Sequence, residues 1–211
     1  FYQNFLIAHL IYLFSLILLA LAFVSCEETE EVGRYDNWRA RNEAFIDSLE
    51  NVYETVPGRG GLERFSMYID PERFIYYKVK TPVTTDKLNQ DMIGRRPTSA
   101  STVTTYYKGM NILRERFDGF SGDNPNLNES NANEGETKAS SFELGSVISG
   151  WQEALQHMVV GDRWEIYIPW QYAYGSTGNS EGQVEILGYS ALIFDLQLLD
   201  TDYPAAVDNK E

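Results

Sequence analysis

Thiol and imidazole side chains are scarce in this chain, which leaves little for thiolate or histidine catalysis and for zinc ligation. One cysteine, Cys26, and two histidines, His9 and His157, are the whole supply. A lone cysteine closes no disulfide within the chain, and thiolate-ligated zinc needs several. His9 lies in an apolar leader, so a histidine metal site or a histidine-driven triad rests on His157 alone. His157 is expected on the exposed side of a helix, without a chemical role. "GRGG" at 58–61 lacks the Lys-Ser/Thr that follows a phosphate-binding loop. "SGDNPNLNES" is rich in Asp and Asn without the EF-hand spacing. No metal and no cofactor are expected.

The remaining candidates concentrate in "LGSVISGWQEALQHM", Leu144 to Met158. Val147 and Ile148 precede Ser149-Gly150, then Trp151, then a short amphipathic segment. The stretch holds one acid, Glu153, and no Cys, Lys or Arg. That is too little for acid–base or nucleophilic work.

The elements that must carry this stretch are mostly strands. "ERFIYYKVK" (72–80) and "STVTTYYKG" (101–109) are rich in β-branched and aromatic residues. In "DRWEIYIPW", Trp164, Ile166 and Ile168 alternate with Arg163, Glu165 and Tyr167. In "ALIFDLQLLD", Leu192, Phe194, Leu196 and Leu198 share one face. A period of two predicts two half-buried strands. One short helix after Ser149, among several strands, gives an α+β class, with a twisted antiparallel sheet wrapped over that helix. Upstream, Trp38, Phe45, Leu49 and Val52 fall at helical spacing, with Asp36 as the expected N-cap. "VPGRGG" (56–61) stops that helix. Its apolar face is expected to pack on the following domain, or else to pair with a second copy as a homodimer. The polar run 121–141 reads as a long loop.

The chain has 211 residues, 43% hydrophobic and 14% aromatic, enough for a sizeable core. Its formal net charge of -14 argues against nucleic-acid binding. Phe5 to Val24 is apolar and uncharged, long enough to span a bilayer. Two readings stay open for it, a membrane anchor helix and a secretory signal. The ending "AFVSC" resembles a bacterial lipobox, with Phe23 where Leu is more frequent. Residues 1–25 are then a signal peptide, and Cys26 a lipidated N-terminus that holds the protein to the outer membrane of the cell envelope. Residues 26–36 read as an acidic tether, 37–97 as an N-terminal helix and extension, and 203–211 as a tail.

"YYKG", then "FD" (117–118), "VISGWQEAL", "MVVGDRWEIYIP" and "YAYG", closed by "LIFDLQLLD", occur in this order. Together they resemble the FKBP-type peptidyl-prolyl cis-trans isomerases over residues 98–202. The resemblance implies an antiparallel half-barrel around one short helix, with an apolar pocket between them. It places Tyr107, Phe117, Asp118, Val147, Ile148, Trp151, Tyr174 and Phe194 in that pocket. Trp151 would be the floor under a prolyl ring, and Gly150 would let backbone and ring approach closely. The Ile148 amide and the Tyr174 hydroxyl would donate to the substrate, while Asp118 would orient its neighbours. Phe194 and the two tyrosines equally suit ordinary core or half-buried positions. The implied partners are X-Pro segments of folding proteins and macrolide immunophilin ligands.

Rotation about X-Pro breaks no bond, which accounts for the missing acids, bases and metals. The chain departs from the family at Ser140, where an aromatic wall is frequent, and at Leu187-Gly188, where two prolines are frequent. Asn179 stands where histidine is frequent. Two functions follow: an isomerase assisting folding in the envelope, and a proline-binding module of the same fold without useful turnover. Retention of Tyr107, Asp118, Ile148, Trp151 and Tyr174 favours the first.

Overall fold

The computed structural model describes residues 33–82, 86–121, 139–182 and 184–202. The leader, Cys26, the tail and most of the 121–141 loop lie outside those residues. The chain divides at Asp36, and the fold below belongs to Asn37–Glu211.

Helix α1 spans Trp38–Thr55 and ends two residues before Pro57. Its N-cap is Asn37, not Asp36, in a left-handed conformation without a side-chain cap bond. Asp36 instead turns back and accepts from the Gly33 amide at 2.6 Å. One carboxylate cannot close that turn and cap the helix together. Phe45, Ile46, Leu49, Val52 and Tyr53 pack on Leu62, Tyr76, Met110, Tyr167 and Ile193. The apolar face of α1 is therefore used against this chain's own sheet. Trp38 and Asn42 tie the first half of the helix down. The Trp38 indole donates to Ser190 Oγ at 2.9 Å, and Asn42 Oδ1 accepts from the Ala191 amide at 2.8 Å.

The strands are β1 (Glu63–Met67), β2 (Asp70–Lys80), β3 (Thr102–Met110), β4 (Arg116–Gly119), β5 (Ser140–Glu143), β6 (Arg163–Ile168), β7 (Gly178–Asn179), β8 (Ile186–Leu187) and β9 (Leu192–Thr201). Helix α2 spans Ser149–His157. Among the described residues, one seven-stranded antiparallel sheet runs β1-β2-β6-β9-β3-β4, with β5 also on β3. β7 and β8 form a separate pair. The stretches 72–80 and 101–109 thus form strands as expected.

The inner face of the sheet follows the period of two. Trp164, Ile166 and Ile168 from β6, with Leu192, Phe194, Leu196 and Leu198 from β9, close over Trp151, Ala154 and Leu155 of α2. His157 is exposed, as expected, and stacks on Phe65 at 4.3 Å between ring centroids. This is an α+β fold with one short helix under an antiparallel sheet and a second helix on the far side.

β6 and β9 are not half-buried, because their outer face is covered as well. Part of the cover is α1, and the rest is charge. Asp195 and Glu165 face each other across the β6–β9 ladder, where like charges repel. Three cations neutralise them. Arg163 donates twice to Asp195 at 2.7 Å, and Lys80 once at 2.8 Å. Arg114 forks onto Glu165 at 3.0 and 3.1 Å, and the Tyr167 hydroxyl also donates to Glu165. Burial alone would raise both carboxyl pKa values. The hydrogen bonds from Arg163 and Lys80, and from Arg114 and Tyr167, outweigh it and hold both below the ordinary range.

The native carboxylates therefore bind protons more weakly than those of the unfolded chain. Their stabilisation is whole above the unfolded carboxylate pKa of about 4 and is lost as pH falls through the lower folded values. The denaturation midpoint is expected to fall below about pH 4, and to fall less steeply in Glu165→Gln. Equal acid slopes for the two proteins would contradict this assignment.

Candidate active site

A cavity of about 270 Å³ opens between the sheet and the N-terminal end of α2. The residues singled out from the sequence all line it. Trp151 of α2, Tyr107 of β3 and Phe194 of β9 are three of them, with Phe117 and Asp118 from β4. Val147, Ile148 and Tyr174 complete the set from the two flanking loops. Trp151 is only 4% exposed. Tyr107, Phe142 and Phe194 meet it edge-on, at centroid distances of 5.1, 5.6 and 5.1 Å and interplanar angles of 77–87°. Phe117 is in turn edge-on to Phe194 at 5.7 Å. Such edge-to-face pairs contribute about 0.5–1.5 kcal/mol each beyond burial, so the floor is rigid before anything binds.

Asp118 is the one acidic residue that lines the cavity. Both its oxygens are engaged: Oδ2 accepts from the Tyr107 hydroxyl at 2.6 Å and Oδ1 from the Gly119 amide at 2.7 Å. Burial, and secondly this bond to Asp118, push the Tyr107 hydroxyl well above its usual pKa. Tyr107 is therefore a neutral, fixed wall, and Asp118 the group that fixes it. The Ile148 amide and the Tyr174 hydroxyl form no hydrogen bond among the described residues. Two neutral donors thus stand free in an aromatic cup.

Local constraints hold these pieces. The Gln152 side chain donates to the Val147 carbonyl at 2.7 Å and braces the loop ahead of α2. A Cβ at Gly109 would lie 2.6 Å from the Phe117 ring and 2.8 Å from that of Phe194, so these rings seat directly on bare backbone. Gly119 has φ +83°, and a Cβ there would meet the Tyr107 carbonyl. Gly150 does not face the cavity as expected. Its missing Cβ leaves room for Ile168 and the Tyr172 carbonyl, so it lets α2 pack closely on β6 rather than admit a ligand.

Sequence reasoning missed two lining residues, Phe142 and Ser146. Phe142 is the one aromatic residue of β5, and its partners across the cup could not be read from the sequence. It also answers the question raised by Ser140. Ser140 pairs with Thr105 away from the cavity lining, while Phe142 supplies a wall against both Tyr107 and Trp151.

Residues 94–199 match the family model of the FKBP-type peptidyl-prolyl cis-trans isomerases. The chain belongs to this family. Among FKBP-type relatives, it is 38% identical over 107 residues to "Peptidyl-prolyl cis-trans isomerase Mip" of Coxiella burnetii, covering 50% of this chain and 39% of that protein. It is 34% identical to "Outer membrane protein MIP" of Legionella longbeachae, with the same two coverages. A solved peptidyl-prolyl cis-trans isomerase from Pseudomonas syringae superimposes with a TM-score of 0.51 at 25% identity, over 77% of this chain and 96% of that one. FkpA from Escherichia coli, at 24% identity and a TM-score of 0.53 over 97% of this chain and 83% of that one, shares the fold. The matched part spans 39% of the length of the two Mip relatives.

Against the FKBP-type pattern, the departures fall outside the cup. Leu187 belongs to β8 and pairs with Gly178 of β7. A Cβ at Gly188 would collide with the Ser176 carbonyl, so this loop crosses itself where only glycine fits. Asn179 lines a neighbouring cavity rather than the aromatic one.

Proposed function

We propose that this chain is a peptidyl-prolyl cis-trans isomerase and that the aromatic cavity is its active site. The observation that carries the reading is the pairing of a rigid apolar floor, Trp151, with two unengaged neutral donors, the Ile148 amide and the Tyr174 hydroxyl. The barrier to X-Pro rotation is about 18–20 kcal/mol, and uncatalysed exchange takes roughly tens to hundreds of seconds. It arises from lost amide resonance. A dry cup disfavours the more polar planar amide. The prolyl ring rests on Trp151 between Tyr107 and Phe194, while the donors hold the flanking carbonyls. Shape and hydrogen bonds then fit the twisted amide better than either planar form, which is transition-state stabilisation without covalent chemistry. Asp118 takes no proton in this scheme. It holds Tyr107 and the turn at Gly119. The same cup would take macrolide immunophilin ligands.

A proline-binding module without turnover is the second reading. Its motive was the set of departures at Ser140, Leu187 and Gly188, and none of those residues lines the cavity. Adding an X-Pro peptide tests the site. The Ile148 amide and Trp151 indole NMR signals should shift first, and Tyr174→Phe should weaken the peptide by about tenfold, the loss of one good hydrogen bond. Larger shifts on the α1 side of the sheet would place binding elsewhere.

The same reading places the protein in the cell envelope, lipidated on Cys26. Support comes from the apolar leader, the "AFVSC" ending and the name of the Legionella relative, an outer membrane protein. Fatty-acid labelling should mark the wild-type protein and not Cys26→Ser. Absence of label on the wild-type protein would favour an uncleaved anchor helix.

A further inference from the structure

A second cavity, of about 480 Å³, adjoins the aromatic cup and shares Phe117, Asp118 and Tyr174 with it. It is larger than the cup and falls within the roughly 300–1,000 Å³ of small-ligand sites. Its remaining walls come from β4 and from β7, β8 and the loop between them, with Val184 and Ile186 beside the polar side chains. Arg116, Asn179 and Glu181 are the groups that matter. A prolyl ring seated in the cup leaves the neighbouring residues of its peptide to lie along this wall.

Charge decides what those residues should be. Arg116 is turned onto its own strand, with Nη1 donating to the Gly119 carbonyl at 2.7 Å. Both oxygens of Asp118 are engaged with Tyr107 and Gly119. Glu181 is exposed, and its carboxylate has no hydrogen bond or ion pair among the described residues. Its backbone is nonetheless held, since the amide donates to Asn179 Oδ1 at 2.8 Å. An unengaged carboxylate on a fixed turn beside a prolyl site attracts a cation.

We infer that this cavity is a specificity subsite, in which Glu181 selects substrates with a lysine or arginine flanking the proline. The inference rests on the prolyl reading of the aromatic cup. It is tested with matched peptides carrying Lys or Glu one residue before or one residue after the proline. The readout is the Lys-to-Glu ratio of kcat/KM at each position. The wild-type chain should favour Lys by about two- to five-fold at one of them, the range of an exposed ion pair. Glu181→Gln should bring that ratio close to one, Glu181→Lys should invert it, and salt should shrink it. Glu72→Lys, an equal charge change on β2, should leave it in place.

Ratios near one for the wild type at both positions would overturn the subsite. So would Glu72→Lys acting as strongly as Glu181→Lys, because the preference would then belong to the whole molecule's charge. If no peptide is accelerated, the isomerase reading fails by itself. The same ratio taken from peptide Kd then judges the subsite, with equal Kd values for Lys and Glu peptides overturning it.

Discussion

Trp151→Ala is expected to lower prolyl isomerisation by at least about tenfold, which is about 1.4 kcal/mol of transition-state stabilisation, and to lower global stability by about 3–5 kcal/mol. The two losses have separate causes. The indole is 4% exposed and touches three edge-on rings, so its removal opens a void that Tyr107, Phe142 and Phe194 cannot fill without leaving their rotamers. The catalytic loss arises because the prolyl ring then lies over a hole. Trp151→Phe separates the two effects. It keeps an aromatic floor and much of the volume, so it should fold more stably than Trp151→Ala and retain more turnover. Chemical denaturation followed by circular dichroism, with exchange rates on the same samples, reads both. A folded Trp151→Ala protein with the wild-type rate would remove Trp151 from the site.

Asp195→Ala is expected to destabilise the fold by about 3–5 kcal/mol while leaving the aromatic cup chemically untouched. Asp195 and Arg163 are 2% and 3% exposed, on the outer face of the sheet. Removing the carboxylate takes away the acceptor of two Arg163 hydrogen bonds, in a place where the guanidinium is 3% exposed. Lys80 loses a partner too, but its ammonium end can swing to solvent. Replacing both partners by apolar residues, Arg163→Met with Asp195→Leu, leaves no buried charge. The double variant should therefore be more stable than Asp195→Ala. Denaturant midpoints for wild type, the single variant and the pair decide this. A single variant as stable as wild type would show that Arg163 finds water or another acceptor.

The inner face of the sheet was readable because strand periodicity and burial agree there. Leu192, Phe194, Leu196 and Leu198 point at α2, as their spacing demands. The outer face was not. Alternation in "DRWEIYIPW" suggested that Arg163 and Glu165 meet solvent, yet they pair with Asp195 of β9, with Arg114 of the turn between β3 and β4, and with Lys80 of β2. A spacing rule sees one strand at a time and cannot see a neighbour's charge. Asn42 was invisible for the same reason. It reads as a polar helix residue, and only tertiary structure shows its amide holding Ala191 ahead of β9.

The cup was legible as a set because its motifs are ordered and specific, and the cavity contains every residue they indicated. Directions within it were not legible. Gly150 carries no Cβ to reveal which side is crowded, and the crowded side is Ile168, not the ligand. Phe142 needed the β3–β5 register to place it opposite Val103 and beside Trp151.

The central claim is that the cup lowers the barrier to X-Pro rotation, and magnetisation exchange between the cis and trans signals of a short X-Pro peptide tests it most directly. With catalytic amounts of the wild-type chain, exchange should rise well above the uncatalysed rate, while Tyr174→Phe and Trp151→Ala raise it less. If the folded wild-type chain binds the peptide and leaves its exchange rate unchanged, the cup is a proline-binding site and the isomerase reading is wrong.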